Sequence, residues 1–349
     1  MTNPYYDPQK PHHTATGFRN NYLVGDIGGS LLKWQVERIR DHLPPPPENG
    51  YAFPVDAPDL AWLATNRSQP SATWIGHATM LVQVGGVNVL TDPVFSERAS
   101  PVPFAGPKRH VRPGLAIAEL PHIDVVVISH NHYDHLDRAS VAQLNAQDGG
   151  PPLFLVPLGI APWMRSIGIT HVRELDWWQH TSAAGLTITF VPVQHWSARG
   201  VTDRFKTLWG GWIIQAGPQQ QPAGAEQPQA GAVSLAPSSH TVFFAGDTGY
   251  SRDFADIHQR FPHVDLALLP IGAYAPRWFM RNQHVEPAEA VQIHRDLHAR
   301  QSIAIHWGTF ELTDEALDAP PKALAQELAK AGVAAADFAV LRHGETRRF

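Results

Sequence analysis

Between Ser129 and Asp137 the chain reads SHNHYDHLD, three histidines and two aspartates in nine residues directly behind the apolar run VVVI. Unpaired imidazoles and carboxylates at the end of a buried strand cost stability, so such a cluster needs partners. A divalent cation is the partner that accepts both donor types. His130 and His132 stand two apart, so at a strand end both can reach one ion, while Asp134 and His135 on the following turn can reach a second.

Four further runs rich in β-branched or apolar residues close on a ligand-type residue: GVNVLTD on Asp92, LTITFVPVQH on His195, TVFFAGD on Asp247 and SIAIH on His306. Strands ending this way can bring their last residues together at one sheet edge. On that reading His195 completes three imidazoles on the first ion. His306 joins Asp134 and His135 on the second, and Asp247 bridges the two. A solvated histidine-rich turn would account for one of these segments but not for the recurrence of ligand types at successive strand ends. Of the 20 histidines, His110, His122, His171, His263 and His298 lack such company.

The elements that must position these residues are legible in outline. Residues 1–66 read as an extension, rich in proline and polar residues, around the helix-like stretch GSLLKWQVERIRDHL. Leu32, Val36 and Ile39 share one face of that helix, which is expected to pack on the body of the protein. From residue 67 to 349, strand-length apolar runs alternate with helical stretches, the pattern of an α/β domain, and this segment carries all the candidate ligands. Pro287 opens PAEAVQIHRDLHAR, and Gly332 closes PPKALAQELAKAG. Residues 216–240, biased to Gln, Pro, Gly and Ala, cannot build a core and are expected to form a mobile hairpin insert.

Composition narrows the chemistry. With 349 residues, 43% of them hydrophobic, a large core is within reach. There is no cysteine, so a metal must sit on imidazole and oxygen. Lys and Arg number 27 against 32 Asp and Glu, a net charge of −5 that draws neither nucleic acid nor an anionic surface as a whole. The polar N-terminal stretch lacks the apolar centre of a signal peptide, which gives the expectation of a cytoplasmic protein, with contact at a membrane surface compatible with it.

HNHYDH resembles the HxHxDH signature of the metallo-β-lactamase superfamily, and the resemblance implies a four-layer αββα sandwich with the metal site at one edge of two facing sheets. Within that superfamily the chain is most similar to the N-acylphosphatidylethanolamine-hydrolysing phospholipase D family. The stretches that carry the likeness include TWIGHAT, LTDPVFSERASP, GPKR, ELDWW, LWGGW, FFAGDTGY, PIGAYAPRWFM, QHVEPAEAV and AIHWGTF, in order from about residue 73 onward. The resemblance places ligand roles on His130, His132, Asp134, His135, His195, Asp247 and His306, the set the strand ends had indicated. It also implies that His284, in QHVEP, lies near a substrate phosphate and that Asp92 stands beside the ligands. The first 65 or so residues do not match the animal members of that family, and the insert is extra.

Two divalent ions about 3.5–4 Å apart can supply hydroxide at neutral pH and stabilise a departing alkoxide, which suits phosphodiester hydrolysis. The expected reaction is therefore in-line attack on phosphorus by a bridging hydroxide in an N-acyl phosphatidylethanolamine or related glycerophosphodiester. Asp134 and Asp247 would orient the nucleophile, His284 would bond the phosphoryl oxygens, and Asp92 would fix a ligand imidazole. Zn2+ suits the donor set, and Mn2+ or Fe2+ would also be accepted. Hydrolysis of a lactone, thioester or β-lactam is the alternative, since the same nucleophile attacks carbonyls. A metal-containing scaffold without turnover is a third class, disfavoured by the complete ligand set. Trp177, Trp178, Trp196, Trp209, Trp212, Trp278 and Trp307 read first as core residues, with an acyl-chain wall as their other use. Arg277 and Arg281 flank WFM, where either a phosphate or solvent would suit them.

Overall fold

In the computed structural model of the chain, Val125 and Val127 pack into one apolar cluster while Val126 and Ile128 pack into a second. Side chains alternate across a strand, so a run without polar interruption needs both faces of its sheet covered. The structure describes residues 2–22, 31–41, 43, 45, 47–217 and 240–349.

The described elements begin with β1 (His13–Thr14), β2 (Gly17–Phe18), α1 (Leu31–Asp41) and α2 (Leu60–Thr65). The first half of the body holds β3 (Ser71–Gly76), β4 (Thr79–Val84), β5 (Val87–Thr91), β6 (Val125–Val127), α3 (Arg138–Asn145), β7 (Leu153–Pro157), α4 (Ala161–Ser166) and β8 (Val172–Leu175). The second half continues with β9 (His180–Ala183), β10 (Leu186–Val191), β11 (Gly211–Ala216), β12 (His240–Phe244), α5 (Asp253–Arg260) and β13 (Val264–Pro270). It ends with α6 (Arg277–Met280), α7 (Pro287–Asp296), β14 (Ala299–Ile305), α8 (Ala319–Ala331), β15 (Phe338–Ala339) and β16 (Thr346–Arg348).

Two seven-stranded sheets result, in the orders β16-β3-β4-β5-β6-β7-β8 and β15-β14-β13-β12-β11-β10-β9. Each is antiparallel on one side and parallel on the other, with β5 to β8 parallel in the first and β12 to β15 parallel in the second. Their inner faces share one core, in which Trp74, Met80 and Val82 from the first sheet join Phe190, Trp212 and Ile214 from the second. Leu63 of α2, Val141 and Leu144 of α3 and Met164 of α4 cover the outer face of the first sheet. Phe254 and Ile257 of α5, Ile293 of α7 and Leu324 and Leu328 of α8 belong to the cluster of the second. The layers are therefore αββα, as expected. Each fully buried Leu, Ile or Phe contributes roughly 1.5–3 kcal/mol relative to exposure, so the sandwich is held mainly by these layers.

Helix ends follow the punctuation in the sequence. Pro287 sits in the first turn of α7, and Gly332 ends α8 in the left-handed conformation at φ 65. The helix after Pro287 stops at Asp296 rather than running to Arg300, because Ala299–Ile305 is taken by the ladder to β13. Residue 216 ends β11, residue 240 opens β12, and the two are register partners. The insert expected between them lies, from 218 to 239, outside the described residues.

Helix α1 corrects one expectation. Trp34 rather than the leucine–valine–isoleucine face is the packed side: it stacks on Phe279 with ring centroids 5.1 Å apart, and its Nε1 donates to Asp314 Oδ2 at 2.8 Å. Leu32, Val36 and Ile39 are left 73%, 54% and 77% exposed. At 100° per residue Trp34 lies opposite that stripe, so burying the one ring turns the other three outward. Among the described residues no helix is long and apolar enough to cross a membrane.

Candidate metal centre

The strand ends that the sequence singled out meet at one edge of the sandwich. Asp92 follows β5, the loop His130–His135 follows β6, His195 follows β10, Asp247 follows β12 and His306 follows β14. His130, His135, His195, Asp247 and His306 are buried, and His132, Asp134 and His284 are partly covered. Close approach at this edge demands glycine at Gly246, where φ is 62 and a Cβ would lie 2.5 Å from Ser129 Cβ. His77, Asp92 and His306 also take positive φ values of 54, 31 and 61. Non-glycine residues pay for this conformation, and such strain gathers at functional sites.

Two sets of donor atoms form there. In the first, His130 Nε2 lies 2.8 Å from His132 Nδ1, which lies 3.3 Å from His195 Nε2. In the second, His306 Nε2 and His135 Nε2 each lie 3.4 Å from Asp134 Oδ2. Asp247 stands between the sets: its Oδ2 is 3.0 Å from His135 Nε2, 3.8 Å from His195 Nε2 and 3.9 Å from His130 Nε2, and its Oδ1 is 3.0 Å from His306 Nε2. The His132, His135 and His306 Nε2 atoms and Asp247 Oδ1 are buried without a hydrogen-bond partner. Buried polar atoms are ordinarily satisfied, so an edge of orphaned imidazole and carboxylate donors fits divalent cations.

The imidazoles are aimed from behind. His135 Nδ1 donates to Asp92 Oδ2 at 2.7 Å, leaving Nε2 for the centre. Ser129 donates its hydroxyl to the same oxygen at 2.5 Å and accepts from His130 Nδ1 at 2.8 Å. His195 Nδ1 donates to the Gln283 carbonyl at 2.8 Å. The guanidinium of Arg199 holds the intervening loop through the carbonyls of Asn131 and Leu136, at 2.9 and 2.8 Å.

The charges are interdependent. Burial opposes ionisation of Asp247 and Asp134, but the His135 imidazole and its neighbours hold both carboxyls well below the usual range. Burial likewise works against the His135 imidazolium, yet Asp247 and Asp134 raise its pKa well above the ordinary value, and Asp247 and Asp134 raise His306 to about 9. Burial pushes His132 and His284 down to about 4, and Asp92 up. Carboxylates held ionised beside protonated imidazoles are what a cation would displace protons from.

His284 Nδ1 lies 3.9 Å from Asp247 Oδ2 and has no hydrogen-bond partner, with its side chain 13% exposed. It therefore borders the centre on the Asp247 side. Arg277, by contrast, is engaged by Glu286, Glu289 and the His284 carbonyl, which it contacts at 2.7 Å. Trp177, Trp209, Trp212 and Trp307 are buried, whereas Trp178, Trp196 and Trp278 are only partly covered; Trp196 packs edge-on to His132, with centroids 4.4 Å apart.

One member of the centre escaped the sequence reading. His77 Nε2 lies 3.0 Å from Asp134 Oδ2, and burial, with His306 beside it, lowers the imidazole to about 3. It directly follows β3 in SATWIGH, so the rule that picked out the other strand ends applies to it as well. A separate group, His12, His13 and Asp176, also brings donor atoms together. There Lys10 Nζ lies 2.6 Å from Asp176 Oδ2, and the Trp177 amide donates to Oδ1 at 2.8 Å. A fixed ammonium already neutralises that carboxylate, so the group is a hydrogen-bonded anchor rather than a cation site.

Comparison with known proteins agrees with this geometry. Residues 87–307 match the family model described as the Beta-lactamase superfamily domain. The chain is 40% identical over 251 residues to N-acyl-phosphatidylethanolamine-hydrolyzing phospholipase D 1 of Caenorhabditis elegans, covering 69% of this chain and 64% of that protein. It is 30% identical over 238 residues to a metal-dependent hydrolase of Methanopyrus kandleri, covering 68% of this chain and 84% of that one. The fold superposes on a metallo hydrolase from the archaeon Ignicoccus hospitalis with a TM-score of 0.55 at 21% identity, over 81% of this chain and 99% of that one. With a match over most of its body, the two facing sheets and donors drawn from their strand ends, the chain belongs to the metallo-β-lactamase superfamily.

Proposed function

We propose that the protein is a dinuclear metal-dependent phosphodiesterase of the phospholipase D type, acting on an N-acyl phosphatidylethanolamine or a related glycerophosphodiester. The observation that carries the reading is Asp247, whose Oδ2 faces donors of both sets within 3.9 Å. Its orphaned Oδ1 lies against His306. His130, His132 and His195 would hold one ion, Asp134, His135 and His306 the other, and Asp247 both. Zn2+ fits this nitrogen and oxygen set, as would Mn2+ or Fe2+. When bound, the ions would supply hydroxide near neutral pH and stabilise the departing alkoxide.

The chain's own residues do the rest. Asp134 and Asp247, kept ionised by the imidazoles beside them, accept hydrogen bonds and orient the attacking water. His284, neutral because it is buried, faces Asp247 with an unpartnered Nδ1 and would bond a phosphoryl oxygen at the centre. Asp92 holds His135 directly and His130 through Ser129. The name of the C. elegans relative supports a phospholipid substrate. Contact with a membrane surface is part of the proposal: the exposed Leu32, Val36 and Ile39 stripe rides on a helix whose other face rests on Phe279 and Asp314, close in the chain to His284 and His306.

The test is to offer metal-loaded protein bis(p-nitrophenyl) phosphate, an N-acyl phosphatidylethanolamine, a lactone and a chromogenic cephalosporin. Turnover of the two phosphodiesters is expected. Turnover of the carbonyl substrates alone would reject the proposal in favour of a carboxyl-derivative hydrolase.

A further inference from the structure

His195 sits four residues past the end of β10, where the ladder that fixes the other strand-end donors has run out. Its ring is held by Gln283, but its peptide is held by a residue from the far N-terminus. Asn20 Nδ2 donates to the His195 carbonyl at 3.0 Å, and Asn20 Oδ1 accepts from the His195 amide at 3.1 Å. The same Oδ1 accepts from Trp209 Nε1 at 3.0 Å. One side-chain amide thus replaces both ladder bonds of a strand partner.

The segment that carries Asn20 is tied down along its length. Tyr5 donates its hydroxyl to Glu174 at 2.9 Å, and Lys10, His12 and His13 converge on Asp176 at 2.6, 2.7 and 2.9 Å. The Phe18 amide donates to the Phe205 carbonyl at 2.9 Å, and a Cβ on Gly17 would lie 2.2 Å from that oxygen. Beyond Asn20, Asn21 donates to Asp253 at 2.9 Å and Tyr22 to Asp256 at 2.6 Å. Glu174 and Asp176 belong to the first sheet's β8 and the turn after it, Asp253 and Asp256 to α5 on the second.

We propose that residues 2–22 form an intramolecular strap across the two sheets and that Asn20 is the positioning residue that sets His195 for metal binding. This inference rests on the metal-centre reading above. Partners that orient a ligand typically change metal affinity by about 10–100-fold when removed. Asn20 acts on the peptide of a ligand, so its loss reaches the His130, His132 and His195 set and leaves Asp134, His135 and His306 undisturbed.

The experiment compares full-length wild type, Asn20→Ala, Asn20→Asp and Asn21→Ala. The affinity of each ion is read by chelator competition, the His-rich set by the visible absorption of the cobalt(II)-loaded protein, and folding by thermal melting of the metal-free form. Asn21→Ala is the control, since it cuts the strap at α5 without touching a ligand. Asn20→Ala is expected to weaken one of the two ions by about tenfold or more and to alter the cobalt spectrum. Asn20→Asp keeps the oxygen that accepts from His195 and Trp209 but sets a second acceptor against the His195 carbonyl, so it should remain folded and also weaken that ion. Asn21→Ala should keep both affinities within about twofold. Wild-type affinity and spectrum in both Asn20 variants, or an equal loss in Asn21→Ala, would overturn the inference while leaving the metal centre intact. Wild-type protein that takes up no divalent ion would instead reject the metal-centre reading itself.

Discussion

His135 Nδ1 meets Asp92 Oδ2 at 2.7 Å, and neither side chain has measurable exposure. The same carboxylate oxygen takes the Ser129 hydroxyl, which in turn accepts from His130. Asp92 therefore holds one imidazole of each set from behind. Asp92→Ala is expected to weaken both ions by about 10–100-fold, whereas Ser129→Ala should weaken chiefly the ion held by His130. Chelator competition with zinc and cobalt distinguishes the two patterns; equal effects from both variants would contradict this division.

His77 turns its Nε2 toward Asp134 at 3.0 Å, an oxygen shared with His135 and His306. His77→Phe keeps the ring and removes the bond. Loss of the second ion by about tenfold, with the first retained, is the expected result in a two-site metal titration.

The metal-free protein should have a stability maximum close to neutrality. Burial lowers His77 to about 3 and His132 and His284 to about 4, so below the ordinary histidine value of about 6.5 the unfolded chain binds protons that the folded one does not. Stability then falls on acidification. His306 is the opposite case: raised to about 9, it binds a proton in the folded state between about 6.5 and 9, and that contribution is lost as pH rises through this window. Binding of zinc requires neutral ligands, so the loaded protein should lack the alkaline decline. Urea unfolding from pH 5 to 9.5, with and without zinc, checks both limbs.

Gly272 presses on the strand end that delivers His306, for a Cβ there would lie 2.3 Å from the His306 carbonyl oxygen. Gly272→Ala needs no unusual φ but has no room. A destabilisation of about 1–3 kcal/mol and a weakened second ion are expected from denaturant unfolding and metal titration.

On α1, replacing Leu32 and Ile39 together by glutamate should leave hydrolysis of soluble bis(p-nitrophenyl) phosphate unchanged, because both side chains point to solvent. Sedimentation with phosphatidylethanolamine vesicles should fall by about tenfold or more, given the transfer energy of two large apolar side chains. Unaltered sedimentation would remove the membrane contact from the account.

Much of this was readable because the chemistry sits at strand ends. A β-branched run announces a strand, and the residue that closes it is fixed at the sheet edge whatever lies between the strands; hence Asp92, His130, His195, Asp247 and His306 could be gathered from sequence. His77 obeyed the same rule but stood alone in TWIGHAT, without the clustering that drew attention to HNHYDH. Asn20 and Ser129 carried no such signal. They act through backbone or hydroxyl contacts, the first of them with a residue 175 positions away, and no periodicity encodes these contacts. The orientation of α1 is not legible in that pattern, where three aliphatic residues outweigh one tryptophan, whereas in the fold the ring finds both a stacking partner in Phe279 and an acceptor in Asp314.

The most direct measurement is anomalous diffraction at the metal edge from crystals of the zinc-loaded protein. The account predicts two peaks about 3.5–4 Å apart, one against His130, His132 and His195, the other against Asp134, His135 and His306, with Asp247 touching both. A single peak, or peaks away from these side chains, would contradict it.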